Sequence, residues 1–461
     1  MTLLSLARGS LANRRASVAL TVLTIAISIA LLVLVEQMRS QVREGFYRSV
    51  SGTDLIVGAP TSSVQLLLFS VFGLGNPTSN VSWDRYREIA GQPIVDWAIP
   101  ISLGDAHEGY RVIGTTGAMF EHYRYAGGRE LQFRQGGPFT DLFDVVAGAR
   151  AADRLGYAPG DEIVLAHGGG NVSLHHHDEL PFVVSGVLAP TGTPVDQSLY
   201  IRLEAHHAIH IGWEQGRPRP DAMLTPKQAR ARVADHGHTH ALGDGNSDDK
   251  HDPEPGEAEE MNPAPNGGNA VQQNSLQPDE ISAFLLGLKT RAAALGMQYR
   301  INQQRDEPLL AILPGIALQQ LWRITGLAEQ ILRVVAGLVV LAGLLGMLTA
   351  LLTTLNERRR EMAILRACGA RPWQISVLLL LEAAFITIAG IVFGLALAVA
   401  AQSALAPWLL ARFGIAVSLA WPAAWQWLIL GGIAAAGVLI ALVPATMVYR
   451  RTLADGMQVR Q

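Results

Sequence analysis

The sequence predicts a membrane α-helical protein with four transmembrane helices, one followed at a distance by three, and a large α+β domain inserted between helices 1 and 2. Four apolar runs support this fold class: residues 16–36, 334–355, 374–402 and 424–448. Each run reaches the ~20 residues that a helix needs to cross a bilayer. In lipid only a helix satisfies its own backbone hydrogen bonds, so each run is expected to be helical throughout.

The arginines set the expected orientation, because short cytoplasmic loops carry an excess of Lys and Arg. They cluster before the first run, between the second and third, and after the fourth. Residues 1–15, the loop 356–373 and the tail 449–461 are therefore expected in the cytoplasm, with residues 37–333 and the loop 403–423 in the periplasm. This orientation corresponds to a multi-pass protein of the cell inner membrane.

A cleaved signal peptide is the alternative interpretation of the first run, since the run has a basic start and an apolar middle. It is longer than the ~7 to 15 residues of a typical signal-peptide core. Glu36-Gln37-Met38-Arg39 offers no small-residue cleavage site. A retained membrane helix is the preferred interpretation.

Residues 37–333 alternate between strand and helix patterns. Strands are expected at 54–58, 95–101, 162–166, 182–188 and 198–203, and helices at 83–90, 149–155, 281–295 and 308–327. Residues 130–204 form an expected β-rich subdomain. The single cysteine, Cys368, lies in the cytoplasmic loop, so the periplasmic domain is expected to fold without disulfides.

The segment 206–278 differs from the rest of this domain. It is rich in His, Asp, Glu, Gly, Pro and Asn and has few large apolar residues, most clearly over 214–278. Such a composition buries too little surface to offset the entropy of ordering the chain. The segment is therefore predicted to be a disordered insertion.

Histidines cluster in and around this insertion, and imidazole is a common ligand of borderline divalent ions. Two interpretations stay open, capture or sensing of Zn²⁺ and a merely solvated polar loop. No spacing matches a closed structural zinc site. The candidate ligands are His175, His176, His177, His206, His207, His210, His236, His238, His240 and His251.

The loop 356–373 has the residue order of a docking helix. A charged first turn is followed by apolar residues, then by a glycine stop and a proline restart, so the loop can insert an apolar side into a partner's groove. An Arg-rich loop alone would indicate nothing beyond a cytoplasmic location. The expected contact residues are Glu357, Arg358, Arg359, Glu361, Met362, Leu365, Arg366, Gly369 and Ala370.

This loop, NERRREMAILRACGARPWQI, resembles that of the FtsX/MacB-type ABC transporter permeases, which have the pattern E-R-x-x-E-x-A-x-L-R-A-x-G-A. The phrases AGARAADRLGYAPGDEIVLAH and VSGVLAPTGTPVDQSLYI are similar to the family's periplasmic domain. The resemblance implies a homodimer, or a heterodimer with a paralogous permease, docked to a cytoplasmic ABC ATPase that binds ATP and Mg²⁺. It further implies membrane lipids and a periplasmic adaptor, lipoprotein or metal-binding protein as partners.

The chain lacks catalytic motifs of its own. No G-x-x-x-x-G-K-[ST], G-x-S-x-G or H-E-x-x-H occurs, nor any nucleic-acid-reading module. We therefore expect a non-enzymatic permease subunit of the mechanotransmission class, which uses a partner's ATP hydrolysis to export or extract a substrate and is linked to zinc homeostasis. The alternatives are a non-transporting signalling adaptor that activates a cell-wall hydrolase or another periplasmic partner, and a stand-alone metal sensor.

Overall fold

The computed structural model of the chain describes residues 15–167, 175–176, 180–214, 217–218, 222–239, 276–357, 369–413 and 421–457. The chain forms two compact units. One comprises Met1–Gly45 together with Trp322–Gln461, and the other comprises Phe46–Leu321. We call them the helical unit and the α+β unit.

Four helices within the described residues are long and apolar enough to cross a membrane. They are α1 (Arg15–Val50), α9 (Pro314–Glu357), α10 (Pro372–Phe413) and α11 (Ala424–Met457). Each contains one of the four predicted runs. The helices extend beyond the apolar runs, and α10 continues through Pro407.

Close packing in the helical unit depends on two glycines of α10, Gly390 and Gly394. They lie one helical turn apart and therefore on one face, as in the G-x-x-x-G pattern of membrane helix pairs. A Cβ at Gly390 would lie 2.5 Å from Ile25 Cγ2, and one at Gly394 would lie 2.9 Å from Ile29 Cβ. The two glycines thus allow α1 to approach the backbone of α10. Apolar side chains from all four helices fill the interior of this unit.

The α+β unit contains a mixed sheet, to which twelve strands of the described residues belong. The strands of this sheet are β1 (Leu55–Gly58), β3 (Val95–His107), β4 (Tyr110–Thr115), β7 (Phe133–Gly136), β8 (Asp144–Ala147), β9 (Glu162–Ile163), β10 (Ala166–His167), β11 (His175–His176), β12 (Phe182–Leu188), β13 (Ser198–Arg202), β17 (Ala283–Leu288) and β18 (Leu310–Ile312). Nine of them follow the order β18-β1-β17-β3-β4-β13-β8-β12-β7. Strands β4 and β13, and likewise β8 and β12, are parallel, whereas the other pairs are antiparallel.

Short helices and two-residue strands complete the unit. The helices are α2 (Ser63–Phe72), α3 (Trp83–Ala90), α4 (Ala118–His122), α5 (Ala149–Leu155), α6 (Leu203–Ala208), α7 (Pro226–Thr239) and α8 (Ala294–Asn302). The small strands are β2 (Val81–Ser82), β5 (Arg124–Tyr125), β6 (Arg129–Glu130), β14 (Trp213–Glu214), β15 (Arg217–Pro218) and β16 (Glu280–Ile281). Serine side chains cap two of these helices, since the Ser62 and Ser82 hydroxyls accept hydrogen bonds from backbone N–H groups in the first turns of α2 and α3.

The long strand β3 connects the two cores of the α+β unit. Its first half, Val95–Ile101, pairs with β17, and its second half pairs with β4 and β10. One core lies around β1 and β17 with α3 and α8, and the other lies around β8, β12 and β13 with α5. The predicted strand at 95–101 is therefore confirmed but continues to His107.

The predicted helix at 281–295 is wrong. Residues Ala283–Leu288 form the central strand β17, with all six residues buried between β1 and β3. An AFLLGL run fits a strand covered on both faces as well as it fits a helix, and periodicity cannot separate the two. The predicted helix at 308–327 is partly wrong, because Leu310–Ile312 adds strand β18 to the sheet before α9 begins at Pro314.

The predicted disorder of 206–278 is wrong for its first part. Helix α7 begins with a reciprocal cap, in which Thr225 N–H donates to Gln228 Oε1 and Gln228 N–H donates to Thr225 Oγ1. Ala229 is fully buried in the second core, next to Leu224 and Leu276. This burial, which composition averaged over 65 or more residues conceals, offsets the entropy of ordering the helix. Residues 240–275 lie outside the described residues.

An ion pair between Asp141 and Arg230 is expected to help hold α7 against the second core. Arg230 donates to Asp141 Oδ1 at 2.9 Å, and this hydrogen bond is the main cause that lowers the pKa of Asp141, against the opposing effect of burial. The pair is half exposed, so Asp141→Asn should speed amide exchange in α7 by about two- to fivefold. Hydrogen exchange of the full chain checks this, with Asp153→Asn, which affects the surface pair with Arg134, as control.

The same pair predicts a pH dependence. A carboxyl whose folded-state pKa is depressed contributes stability that is present above its unfolded-state pKa and is lost as the pH falls through the folded-state value. After correction for the intrinsic pH dependence of amide exchange, the opening of α7 should therefore increase below about pH 4 in the parent chain and respond less to acid in Asp141→Asn. An identical acid response in both proteins would contradict the assigned contact.

The second core should depend on Phe182, which is fully buried and meets Phe143 edge to face with ring centroids 5.4 Å apart. Phe182→Ala should destabilise the β8-β12 region by about 3–5 kcal/mol, because a large cavity replaces the ring. Hydrogen exchange of β12 peptides measures this loss. Val183→Ala, the next residue on the more exposed face of β12, is the matched control and should change little.

Candidate functional site

Three of the nine residues predicted to contact an ATPase fall within the described residues. Glu357 is the last residue of α9, and Gly369 and Ala370 lie just before α10. Gly369 has a φ of 91°, which suits the glycine stop expected there. The other six lie outside the described residues: Arg358, Arg359, Glu361, Met362, Leu365 and Arg366.

The ten candidate metal ligands are not all brought together. His206 and His210 meet each other and a carboxylate, whereas His207 is partly buried on α6 outside that group. Backbone positions alone are described for His175 and His176 in β11 and for His236 and His238 in α7. His177, His240 and His251 lie outside the described residues.

Asp105, His206 and His210 form a compact group within the α+β unit, which we call the Asp105 cluster. His206 Nε2 lies 3.4 Å and His210 Nε2 lies 3.7 Å from Asp105 Oδ2. The imidazole centroids are 4.8 Å apart. The Asp105 side chain is fully buried, His206 is 9% exposed and His210 is 29% exposed. The cluster is therefore shielded on the carboxylate side and open to solvent at His210.

A bulge in β3 places Asp105. Leu103 pairs with Ile113 and Ala106 pairs with Arg111, so β3 has one more residue than β4 between these pairs. Such a bulge redirects a side chain and is common beside functional sites. The register also sets Asp105 opposite His167 of β10.

A close approach of α6 to β4 places His206. A Cβ at Gly114 in β4 would lie 2.7 Å from His206 Cβ, so the missing side chain leaves the space that the imidazole base occupies. His210 follows four residues later, just past the end of α6, and therefore lies on the same side of this helical segment. No sequence signal marked Asp105 as a ligand, although a Gly-Asp pair inside a strand pattern is typical of a bulge.

His107, the last residue of β3, lies outside the Asp105 cluster. Its Nδ1 lies 2.6 Å from the Val164 carbonyl oxygen and its Nε2 lies 2.7 Å from the Tyr157 hydroxyl. Both ring nitrogens are thus engaged by the protein. His207 differs again, since burial lowers the pKa of its imidazole.

A second charged group lies in the helical unit, at the end of the apolar part of α1. It comprises Glu36, Arg39, Glu329 and Arg333, which we call the Glu36 cluster. Arg39 donates to Glu36 and lies 3.2 Å from Glu329, and Arg333 lies 3.5 Å from Glu36. The Glu36 side chain is only 8% exposed, so its charge depends on these arginines.

A cavity of about 440 Å³ adjoins this cluster. One side is polar, formed by Glu36, Arg39 and Arg333, and the other is apolar. The lining residues are Leu32, Val33, Glu36, Arg39, Arg333, Trp425, Gln426, Ile429 and Leu430. The cavity therefore brings charged groups and apolar surface together at one end of the helical unit.

The fold and these sites define a membrane protein with a folded α+β domain between its first and second apolar helices. A MacB-like periplasmic core domain matches residues 18–235, and an FtsX-like permease C-terminal region matches residues 333–453. These two matches together cover most of the chain. The chain belongs to the FtsX/MacB-type family of ABC transporter permeases, which are membrane subunits of ABC transporters.

One solved structure is similar to part of the chain at low identity. The crystal structure of the extracellular domain of the noncanonic ABC-type transporter YknZ from Gram-positive bacteria is similar at 10% identity, with a TM-score of 0.27. That match covers 56% of this chain and 98% of that chain. No curated protein matches the chain.

The ion pairs of the Glu36 cluster are expected to contribute to the stability of the helical unit. Arg39→Met should destabilise the unit by about 3 kcal/mol, because it leaves the buried Glu36 carboxylate with only the more distant Arg333. Adding Glu36→Gln should recover part of this loss by removing the charge. Thermal unfolding in detergent measures both effects.

Arg43→Met is the matched control for this test. Arg43 lies on the same helix with its guanidinium 5.1 Å above the Trp322 ring, a contact worth less than a buried ion pair. Equal destabilisation by Arg39→Met and Arg43→Met, with no recovery in the double variant, would contradict the assigned role of the Glu36 cluster.

Proposed function

We propose that this chain is the permease subunit of a mechanotransmitting ABC transporter. A separate cytoplasmic ATPase would dock on the loop 356–373, and its ATP-driven closure would reach the α+β domain through α1 and α9. Membership of the FtsX/MacB-type permease family is the observation that carries the proposal.

The connectivity of the chain supports transmission by helices. The α+β unit lies in the sequence between α1 and α9, so any movement of these two helices is passed to both ends of that unit. The Arg distribution favours cytoplasmic termini and a periplasmic α+β domain in an inner membrane. A homodimer, or a heterodimer with a paralogous permease, completes the proposed complex.

The interior of the helical unit favours mechanical work over passage of a polar solute. Among the described residues its main core cluster is apolar, with Ile29 and Met347 among its members, although Glu382, Thr387 and Gln402 are also buried in this unit. A polar transport path would need a row of polar groups facing a shared cavity. Export or extraction of a substrate from the periplasmic side fits this interior better.

The coupling role predicts that Leu365→Asp weakens docking of the ATPase. A carboxylate would have to be desolvated in an apolar groove, at a cost of about 2 kcal/mol or more, which corresponds to roughly 30-fold weaker binding. Co-purification of the complex from its native membrane, followed by mass spectrometry, identifies the ATPase and measures its retention. Leu365→Met is the control because it keeps the apolar surface.

Retention of the ATPase at parent levels by Leu365→Asp would contradict the coupling assignment. Recovery of no ATPase with the parent chain would contradict the proposed function itself. The two results are distinguishable because the parent chain and the variant are purified side by side.

A signalling adaptor is the second candidate, favoured by the same apolar interior, which does not require that anything be moved. In this case the α+β domain would activate a cell-wall hydrolase or another periplasmic partner. Activity assays on the reconstituted complex distinguish the transporter from the adaptor. Substrate-dependent stimulation of the ATPase supports the transporter, whereas hydrolase activation without such stimulation supports the adaptor.

A further inference from the structure

We propose that Asp105, His206 and His210 form a binding site for a borderline divalent cation, with Zn²⁺ as the best fit. The site lies in the α+β unit, between the bulge of β3 and the end of α6. It is separate from the predicted ATPase-docking loop. The inference stands whether the protein is a transporter subunit or an adaptor, because it concerns only a ligand of the folded domain.

The nitrogen-to-oxygen distances fit ligands that share a cation better than they fit direct hydrogen bonds. Zn²⁺ binds imidazole nitrogen and carboxylate oxygen at about 2.0–2.2 Å, so neighbouring ligand atoms of a tetrahedral site lie roughly 3.3–3.5 Å apart. The two nitrogen-to-oxygen separations of the Asp105 cluster are 3.4 and 3.7 Å. Both exceed the usual N–H···O hydrogen-bond range of about 2.7–3.2 Å.

The three ligand atoms need little rearrangement to close around an ion. All of them lie within 4.8 Å of one another. No separation therefore has to shorten by more than about 1.5 Å to reach tetrahedral spacing. His210 can supply this movement by a small side-chain rotation, since it is the most exposed of the three residues.

A hydrogen bond fixes the coordinating nitrogen of His210. Its Nδ1 lies 2.6 Å from the His206 carbonyl oxygen and therefore donates to it, because a carbonyl oxygen only accepts. In the neutral ring the lone pair is then on Nε2, the atom that points at Asp105. Metal-binding histidines commonly hold their second ring nitrogen in this way.

The backbone leaves room for an ion beside the ligands. Gly104, in the β3 bulge, has no side chain, and a Cβ there would lie 3.9 Å from His210 Nε2 and 4.0 Å from His206 Nε2. A methyl group at this position would lie at ordinary contact distance from both nitrogens. Gly104→Ala therefore adds bulk beside the site without removing a ligand.

The donor set indicates the type of ion and its exchange behaviour. Two imidazoles and one carboxylate suit Zn²⁺, whereas Ca²⁺ and Mg²⁺ prefer oxygen ligands alone. Three protein ligands leave one tetrahedral position for water or an incoming ligand. With His210 exposed to solvent, the ion should exchange with the medium instead of being sealed in during folding.

Occupancy would add a metal bridge between two elements of the α+β unit. Asp105 belongs to the strand shared by both cores, and His206 and His210 belong to the segment that leads into the His-rich insertion. A ligand that binds only the folded state stabilises it by mass action. Zn²⁺ should therefore raise the stability of the β3–α6 contact.

Zinc binding to the metal-free full chain in detergent tests the proposal. Titration against a chromophoric chelator gives affinity and stoichiometry for the parent chain, Asp105→Asn, His210→Ala and Gly104→Ala. Each variant should lose one zinc equivalent or bind it at least about tenfold more weakly than the parent. His207→Ala is the matched control, since it removes a neighbouring imidazole of the same segment outside the cluster, and should keep parent binding.

Two further measurements distinguish this site from the other histidines of the chain. Co²⁺ in the parent chain should give the visible absorption of a tetrahedral nitrogen-oxygen site, and Asp105→Asn should abolish it. Zn²⁺ should slow hydrogen exchange in β3 and α6 of the parent and of His207→Ala but not of His210→Ala. Metal-free spectra and melting curves that match the parent show that each variant is folded.

Equal zinc stoichiometry and affinity in the parent, Asp105→Asn and His210→Ala would overturn the proposal. So would unchanged exchange in β3 and α6 on addition of Zn²⁺ to the parent chain. Should His210→Ala fail to fold, Asp105→Asn and Gly104→Ala still decide the question, because neither removes a packed side chain.

Discussion

The α+β unit depends on the backbone hydrogen bonding of β3. This strand is buried in the sheet and must pair along its whole length, since an unpaired backbone group away from water is costly. It meets the requirement by pairing with β17 in its first half and with β4 and β10 in its second. Both cores are thereby tied to one strand. The bulge at Gly104 and Asp105 interrupts the ladder between β3 and β4, and this bulge carries the buried carboxylate.

The helical unit obeys a different constraint, because its surface is largely apolar and its helices gain little from hydrophobic burial against one another. Close backbone approach replaces that driving force. Gly390 and Gly394 let α1 lie against α10, and apolar side chains fill the remaining space. Charge is concentrated at the end of the apolar part of α1, in the Glu36 cluster.

Histidine content alone did not identify a site. The sequence grouped ten histidines as candidate ligands, and only His206 and His210 are brought to a common carboxylate within the described residues. His107, outside all the groups, has both ring nitrogens bonded to protein. The composition of the insertion likewise predicts disorder throughout, although Thr225-Pro226-Lys227-Gln228 has the pattern of a helix cap. Local signals are lost when composition is averaged over a long segment.

The sequence by itself determined the four apolar helices, the α+β character of the segment between the first two, and the family, because length, hydropathy and the loop motif are local properties. Within the described part of the α+β unit it also predicted five strands, β1, β3, β9, β12 and β13, and the short helices α3 and α5, where alternation or turn residues were clear. Tertiary structure alone decided that Ala283–Leu288 is a central strand, since a fully apolar run suits either state until its neighbours are known. It alone placed Asp105 beside His206 and His210, about 100 residues away in sequence, because that meeting depends on strand register, a bulge and the missing side chain of Gly114.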